Sequence, residues 1–172
     1  QTIKPTAYVG GIGYRGIRAI ESTEQRYIPF EWLAVDNAAG RVKAGAGSHV
    51  FMDKESLLKI DPPTIFIDGG GLALVAEDYR KKPEFYRAMQ AFANGRVYRL
   101  LPFNWYVTNI DTALADAYAI GKILYAARFA DIDPEQKADE IYTYLVGKPV
   151  YLKMKSDYGA IGQRLSFSMK GE

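Results

Sequence analysis

The chain has 172 residues, 48% of them apolar and 24% charged, the size and composition of one domain able to bury roughly 70% of its unfolded surface. Its 22 basic and 20 acidic side chains leave a formal charge of +2, too small and too evenly spread for an electrostatic nucleic-acid binder. It contains no cysteine and a single histidine, His49, which excludes disulfides, thiolate chemistry, cysteine zinc sites and any site built on two imidazoles. No apolar run approaches the 18 or more residues of a membrane span.

In chain order, Pro5-Thr-Ala-Tyr-Val9 is a β-rich run delivered into Gly10-Gly11, a first strand ending in a tight loop. Helical character follows over 16–24, then Tyr27 to Val35 mixes aromatics with Pro29, and Arg41 to Ser48 is a Gly/Ala-rich loop. His49 to Met52 predicts a second strand, and Asp53 caps a short helix over 54–60. Asp61-Pro-Pro63 ends that helix and Thr64 to Ile67 reads as a buried strand, closed by Asp68-Gly-Gly-Gly71. Leu72 to Lys81 and Pro83 to Ala93 are helical, with Asn94-Gly95 as the stop, and Arg96 to Leu101 is the fourth strand.

Ile110, Ala113, Leu114, Ala117, Ile120 and Leu124 repeat at spacings of three and four, which predicts a long helix from about Asn109 with one buried face. Asp133-Pro-Glu-Gln136 is a helix-start signature, and the helix runs to about Val146 before Gly147. Short strands apolar on both faces and alternating with helices predict a three-layer, Rossmann-like α/β sandwich, with about four mainly parallel strands between helices. Ligands of such sheets bind beyond the carboxyl ends of the strands, which points to the loops after Val9, Met52, Ile67 and Leu101.

Two of those loops carry candidate chemistry. Gly11-Ile-Gly13-Tyr-Arg-Gly16 has the letters of a dinucleotide-binding turn, and Asp36 follows Gly16 by about 20 residues. An NAD-dependent oxidoreductase is therefore the alternative function. Pro29 and the short polar stretch Glu21 to Glu24 fit that motif poorly, and a glycine-rich strand exit is the simpler reading. Tyr14, Arg15 and Arg18 in this loop could hold a carboxylate or phosphate by charge-assisted bonds, or could be ordinary surface charge. In Pro102 to Asn109, the rings of Phe103, Trp105 and Tyr106 suit a flat or chelated ligand, unless some of them pack under the following helix. Trp105 could equally serve a protein partner. Asp111 with Asp116 and Asp139 with Glu140 read as solvated helix faces, and His49 as structural.

The order of the runs DKESLLKIDPPTIFIDGG, FANGRVYRLLPFNWYVTN, IDTALADAYAIGKILYAARF and DIDPEQKADEIY resembles the C-terminal half of the periplasmic-binding-protein family that serves ABC importers of ferric siderophores, haem and cobalamin. The resemblance covers nearly the whole chain and implies a non-enzymatic substrate-binding protein working outside the cytoplasm, in the periplasm or lipid-anchored at the outer face of the membrane, with no cofactor. Its metal-chelate ligand would be enclosed between this lobe and an N-terminal one, and then delivered to permease subunits. Whole members of the family also have a leader, a first lobe and a linking helix, so residues 5–172 are expected to be the C-terminal lobe and residues 1–4 a remnant of the linker. By the same resemblance Tyr14, Arg15, Arg18, Phe103, Trp105 and Tyr106 would line the ligand cleft, and Glu55 would be the acidic residue that docks on the permease.

Overall fold

Three strands rich in apolar residues build the middle of the molecule: β1 (Thr6–Gly10), β5 (Ile65–Asp68) and β6 (Val97–Leu100). The structure, a computed structural model, describes residues 4–13, 18–41, 49–104 and 107–168. β1 and β5 run parallel with Val9 opposite Phe66, and β5 and β6 run parallel with Ile67 opposite Arg99. The sheet is completed by a two-residue strand, β3 (Asp36–Asn37), parallel to β1, giving the order β3-β1-β5-β6. This is the four-stranded parallel sheet that the apolar runs predict.

Its membership differs from the sequence reading at one strand. β4 (His49–Phe51) leaves the main sheet and pairs antiparallel with β2 (Ser22–Glu24) in a separate ribbon. Ser22 to Glu24 is accordingly extended and not helical, because its three side chains are buried at the mouth of β1. Thr23 Oγ1 donates to the Val9 carbonyl at 2.6 Å and Tyr8 Oη donates to the Ile20 carbonyl at 2.7 Å. A polar segment is thereby held in the interior with its hydrogen bonds satisfied.

Alternate residues of each strand feed two apolar layers. On one face Val9, Phe66 and Leu100 pack with α1 (Ile28–Trp32), α6 (Ile110–Leu124), α7 (Pro134–Val146) and α8 (Tyr151–Tyr158). On the other, Tyr8, Ile65, Ile67 and Val97 pack with α2 (Lys54–Ile60), α3 (Leu72–Lys81), α4 (Pro83–Arg87) and α5 (Gln90–Ala93). Each fully buried Phe, Leu or Ile stabilises such a layer by about 1.5–3 kcal/mol.

The helix boundaries follow the local signals. Asp53 accepts from the Ser56 amide at 2.8 Å to start α2, and Asp133 accepts from the Glu135 and Gln136 amides to start α7, with Pro134 in its first turn. Gly147, at φ 76°, ends α7. The helical stretch after Pro83 breaks at Ala88–Met89 into α4 and α5, since Met89 is extended and buried. α8 occupies a tail that shows no decisive sequence pattern. In α6 the predicted apolar positions are only part of what is buried: Thr112, Ala115, Asp116 and Ala119 are enclosed as well, while Ile110 is 51% exposed. The helix lies between the sheet and α7, so two of its faces are covered.

Candidate functional site

The loops at the carboxyl ends of β1, β5 and β6 meet where β5 gives way to Asp68-Gly-Gly-Gly71. Gly71 lies against the exit of β1 so closely that a Cβ there would stand 2.1 Å from the Gly11 carbonyl oxygen. Any side chain at 71 would push the two strand ends apart. The loop after β6 is closed by the Asn109 amide donating to the Phe103 carbonyl at 2.8 Å and by a bridge between Asn104 and Thr108. Its outer part includes Val107, which is 72% exposed.

Under this loop Asp68, Asp116 and Glu24 come together, a convergence that their spacing in sequence does not predict. Asp68 is buried at the end of β5; its Oδ1 accepts from the Gly70 amide at 2.8 Å, the Phe103 amide lies close to the same carboxyl, and its Oδ2 makes no hydrogen bond of normal geometry among the described residues. Asp116 is buried on α6; its Oδ1 accepts from the Leu101 amide at 2.9 Å and its Oδ2 is also unpartnered. Asp116 is thus a core residue that caps the end of β6, a correction to its reading as a solvated helix face. Glu24 of β2 accepts from Asn104 Nδ2 at 2.9 Å, tying the ribbon to the loop after β6. Tyr27 Oη is buried among them and has no partner among the described residues.

Burial dominates the electrostatics of this group. Loss of solvation pushes Asp68 up to about 7, against the pull of the Gly70 and Phe103 amides, and the neighbouring Glu24 adds to the rise. Burial likewise holds Asp116 well above the usual carboxylate range, with Asp68 contributing, and raises Glu24 against the Asn104 bond. The Tyr27 phenol is driven up by burial and by Asp116, Asp68 and Glu24 in turn. Burial and the neighbouring acids therefore shift all three carboxyls toward the protonated form. Among the described residues no three His, Cys, Asp or Glu side chains converge on a metal position, and these acids act as a hydrogen-bonding floor to the strand-end loops.

The predicted site residues divide. Tyr14, Arg15, Trp105 and Tyr106 lie outside the described residues. Arg18 is exposed, and its guanidinium stands 4.6 Å from the centre of the Phe51 ring, so it belongs to the surface of the ribbon. Phe103 has no exposed surface; its ring meets Tyr27 edge-on at 5.1 Å. It packs beneath the loop and presents no face to a ligand, the outcome expected of one of the three rings. Glu55 is exposed in the first turn of α2. His49 is half-buried, and burial lowers its pKa. A separate cavity of about 600 Å³ opens between Lys122 and Ile123 of α6, the start of α7 and Ile161–Gln163. It lies about 18 Å along α6 from the strand-end loops.

The dinucleotide reading fails on geometry. After Gly13 the described chain runs through a turn at Ala19–Glu21 into β2, with no helix from residue 18 to 27 whose amino end could receive a pyrophosphate. Asp36 pairs with Thr6, the first residue of β1, and its carboxylate accepts from Thr6 Oγ1 and Arg41. It is therefore at the amino end of the sheet, away from the glycines.

No protein-family model matches the chain, and no curated protein matches it. Solved structures do. A periplasmic solute-binding protein from Veillonella parvula DSM 2008 superposes over 92% of this chain with a TM-score of 0.60 and 14% identity. The fold is that of one part of a periplasmic binding protein. The molybdate periplasmic binding protein MolA of a Haemophilus influenzae ABC transporter gives a TM-score of 0.60 over 83% of the chain at 16% identity. The TroA-like periplasmic binding protein FepB from Veillonella parvula gives 0.55 over 96% at 15%. The chain spans less than half of each of these proteins, 47%, 42% and 48% of their lengths. Among the described residues no helix is long and apolar enough to cross a membrane.

Proposed function

We propose that this chain is the C-terminal lobe, residues 5–172, of the substrate-binding component of an ABC importer, working outside the cytoplasm and without catalysis, and that residues 1–4 belong to the interlobe linker. The observation that carries this reading is the parallel order β3-β1-β5-β6, with helices on both faces, which matches part of a solute-binding protein over 92% of the chain. The sequence runs that resemble the siderophore, haem and cobalamin branch favour a metal chelate as the ligand. The strand-end loops would supply one wall of its cleft through Tyr14, Arg15, Arg18, Trp105 and Tyr106, with Phe103 as the ring that supports the loop from below. Glu55, exposed on α2, would face the permease. Binding of this kind relies on shape, stacking and charge, and the buried acids hold the loops in place without touching the solute.

The chain has two tryptophans, Trp32 and Trp105, which gives a direct test. In a Trp32→Phe variant the emission comes from Trp105 alone. Titration with a ferric catecholate, a ferric hydroxamate, haem and a corrinoid should give saturable quenching at micromolar levels with one of them. Absence of quenching by all four, in this chain and in the protein carrying both lobes, refutes the chelate assignment.

A further inference from the structure

Arg99, on β6, shares a sheet face with Val97 and lines a cavity of about 470 Å³. The other walls are Gly69 after β5, Leu72 and Ala73 in the first turn of α3, and Lys155 to Gly159 at the carboxyl end of α8. The chain makes room for the guanidinium at one point. A Cβ on Gly159, whose φ is 83°, would stand 1.2 Å from Arg99 Nη1.

Among the described residues the guanidinium has no partner. Nε is buried and unbonded, and among the described residues no carboxylate or carbonyl accepts from the side chain. The other charged groups of the cavity are already neutralised, Lys155 by Glu135 at 2.7 Å and Asp157 by Lys153 at 2.6 Å. Arg99 is the charge left over. The carboxyl end of α8 offers it partial negative charge, yet none of the α8 carbonyls accepts a bond from it. α3 opens on the same space with Gly71 as N-cap and no side chain bonded to its first amides, so partial positive charge adds to that of the arginine. The buried Nε–H, with no acceptor among the described residues, costs the fold part of its lost solvation, while the two outer nitrogens face the cavity and are open to an acceptor arriving from solvent.

We propose that the Arg99 cavity is a binding site for an oxyanion, the carboxylate or phosphate-type group of a small solute, gripped by the guanidinium fork with help from the first turn of α3. Charge suits an oxyanion, the planar fork suits paired acceptance by two oxygens, and a volume of about 470 Å³ leaves room for the rest of a small solute. The site lies on the opposite face of the sheet from Asp68 and does not depend on the solute-binding reading: chelate titrations could fail and leave it standing.

The test is a two-dimensional amide NMR titration of the 172-residue chain, with inorganic phosphate in one arm and acetate in the other, ionic strength held constant with sodium chloride. Saturable shifts at the amides of Gly69, Leu72 and Ala73 and at the Arg99 Nε–H are expected at millimolar anion or below. Response to phosphate alone or acetate alone supports the site and identifies the oxyanion. Arg99→Gln should weaken binding at least tenfold with its melting temperature kept, and Arg99→Lys, which retains charge without the fork, should fall between. The proposal is overturned if no saturable shift occurs, if the shifts survive in Arg99→Gln, or if Arg99→Gln melts early while the wild-type chain ignores both anions. The Arg99 Nε–H signal of the wild-type chain decides the matter even where a variant fails to fold.

Discussion

The two faces of the sheet treat charge in opposite ways near the carboxyl ends of β5 and β6. On the α6 face, Asp68 and Asp116 are buried beside Phe103 and Tyr27, bonded to backbone amides and raised in pKa by burial. On the α3 face, Arg99 reaches an open cavity and has no acceptor among the described residues. Asp68 ends β5 and Arg99 lies on neighbouring β6, opposite Ile67, and because successive residues of a strand face opposite ways the two charges leave the sheet on different faces. A charge sealed in the core must be neutralised by a proton or a partner, whereas a charge beside solvent can wait for a ligand.

The largest expected effect comes from opening the sealed face. Phe103→Ala removes a wholly buried ring that meets Tyr27 and should cost about 3–5 kcal/mol in a urea unfolding curve. A loss under 1 kcal/mol would mean that the loop after β6 is not anchored by this ring. The acids on that face should next make stability depend on pH. Their folded pKa values lie above the unfolded ones, so the fold binds protons that the unfolded chain releases; stability is full below about pH 4 and is lost as pH rises through about 7. Asp68 alone, moved from 3.8 to about 7, contributes on the order of 4 kcal/mol over that range. The groups facing it and Asp116 are Glu24, Tyr27 and Tyr142, none of them a cation. The urea midpoint should therefore be higher at pH 5 than at pH 8.

Asp116→Asn sharpens the contrast. The amide oxygen can still accept from Leu101, and the group cannot ionise, so the decline between pH 5 and pH 8 should become shallower. An unchanged slope would move the titration away from this cluster. The smallest effect is expected at Arg18, which rests on Phe51 at the surface. Arg18→Ala should change stability by less than about 1 kcal/mol, so any loss of chelate affinity in that variant reports on the ligand and not on folding.

Much of this architecture is legible in the order of residues. Asp53 and Asp133 cap the helices their spacing predicts, and TAYVG, IFID and VYRL are the strands that their apolar runs predict. Local chemistry suffices there, since a cap or a β-branched run acts within a few residues of itself. The partnership of β4 with β2 is not legible, because pairing depends on which distant segment offers a free edge. Asp116 is misread for a related reason. A carboxylate at helical spacing looks solvated until the end of β6, 15 residues back in sequence, donates the Leu101 amide to it. Asp68 is visible as the residue before three glycines, but the Gly70 amide that it accepts is a matter of turn geometry.

The sequence by itself determined the α/β class, the parallel strands and most helix limits, because propensity, capping and apolar period are short-range properties of the chain. Only the tertiary structure decided that Phe103 is core, that three acids come together in the interior and that Arg99 stands over Gly159 with no partner among the described residues. Burial and the proximity of distant charges set those outcomes, and neither exists until the layers have packed.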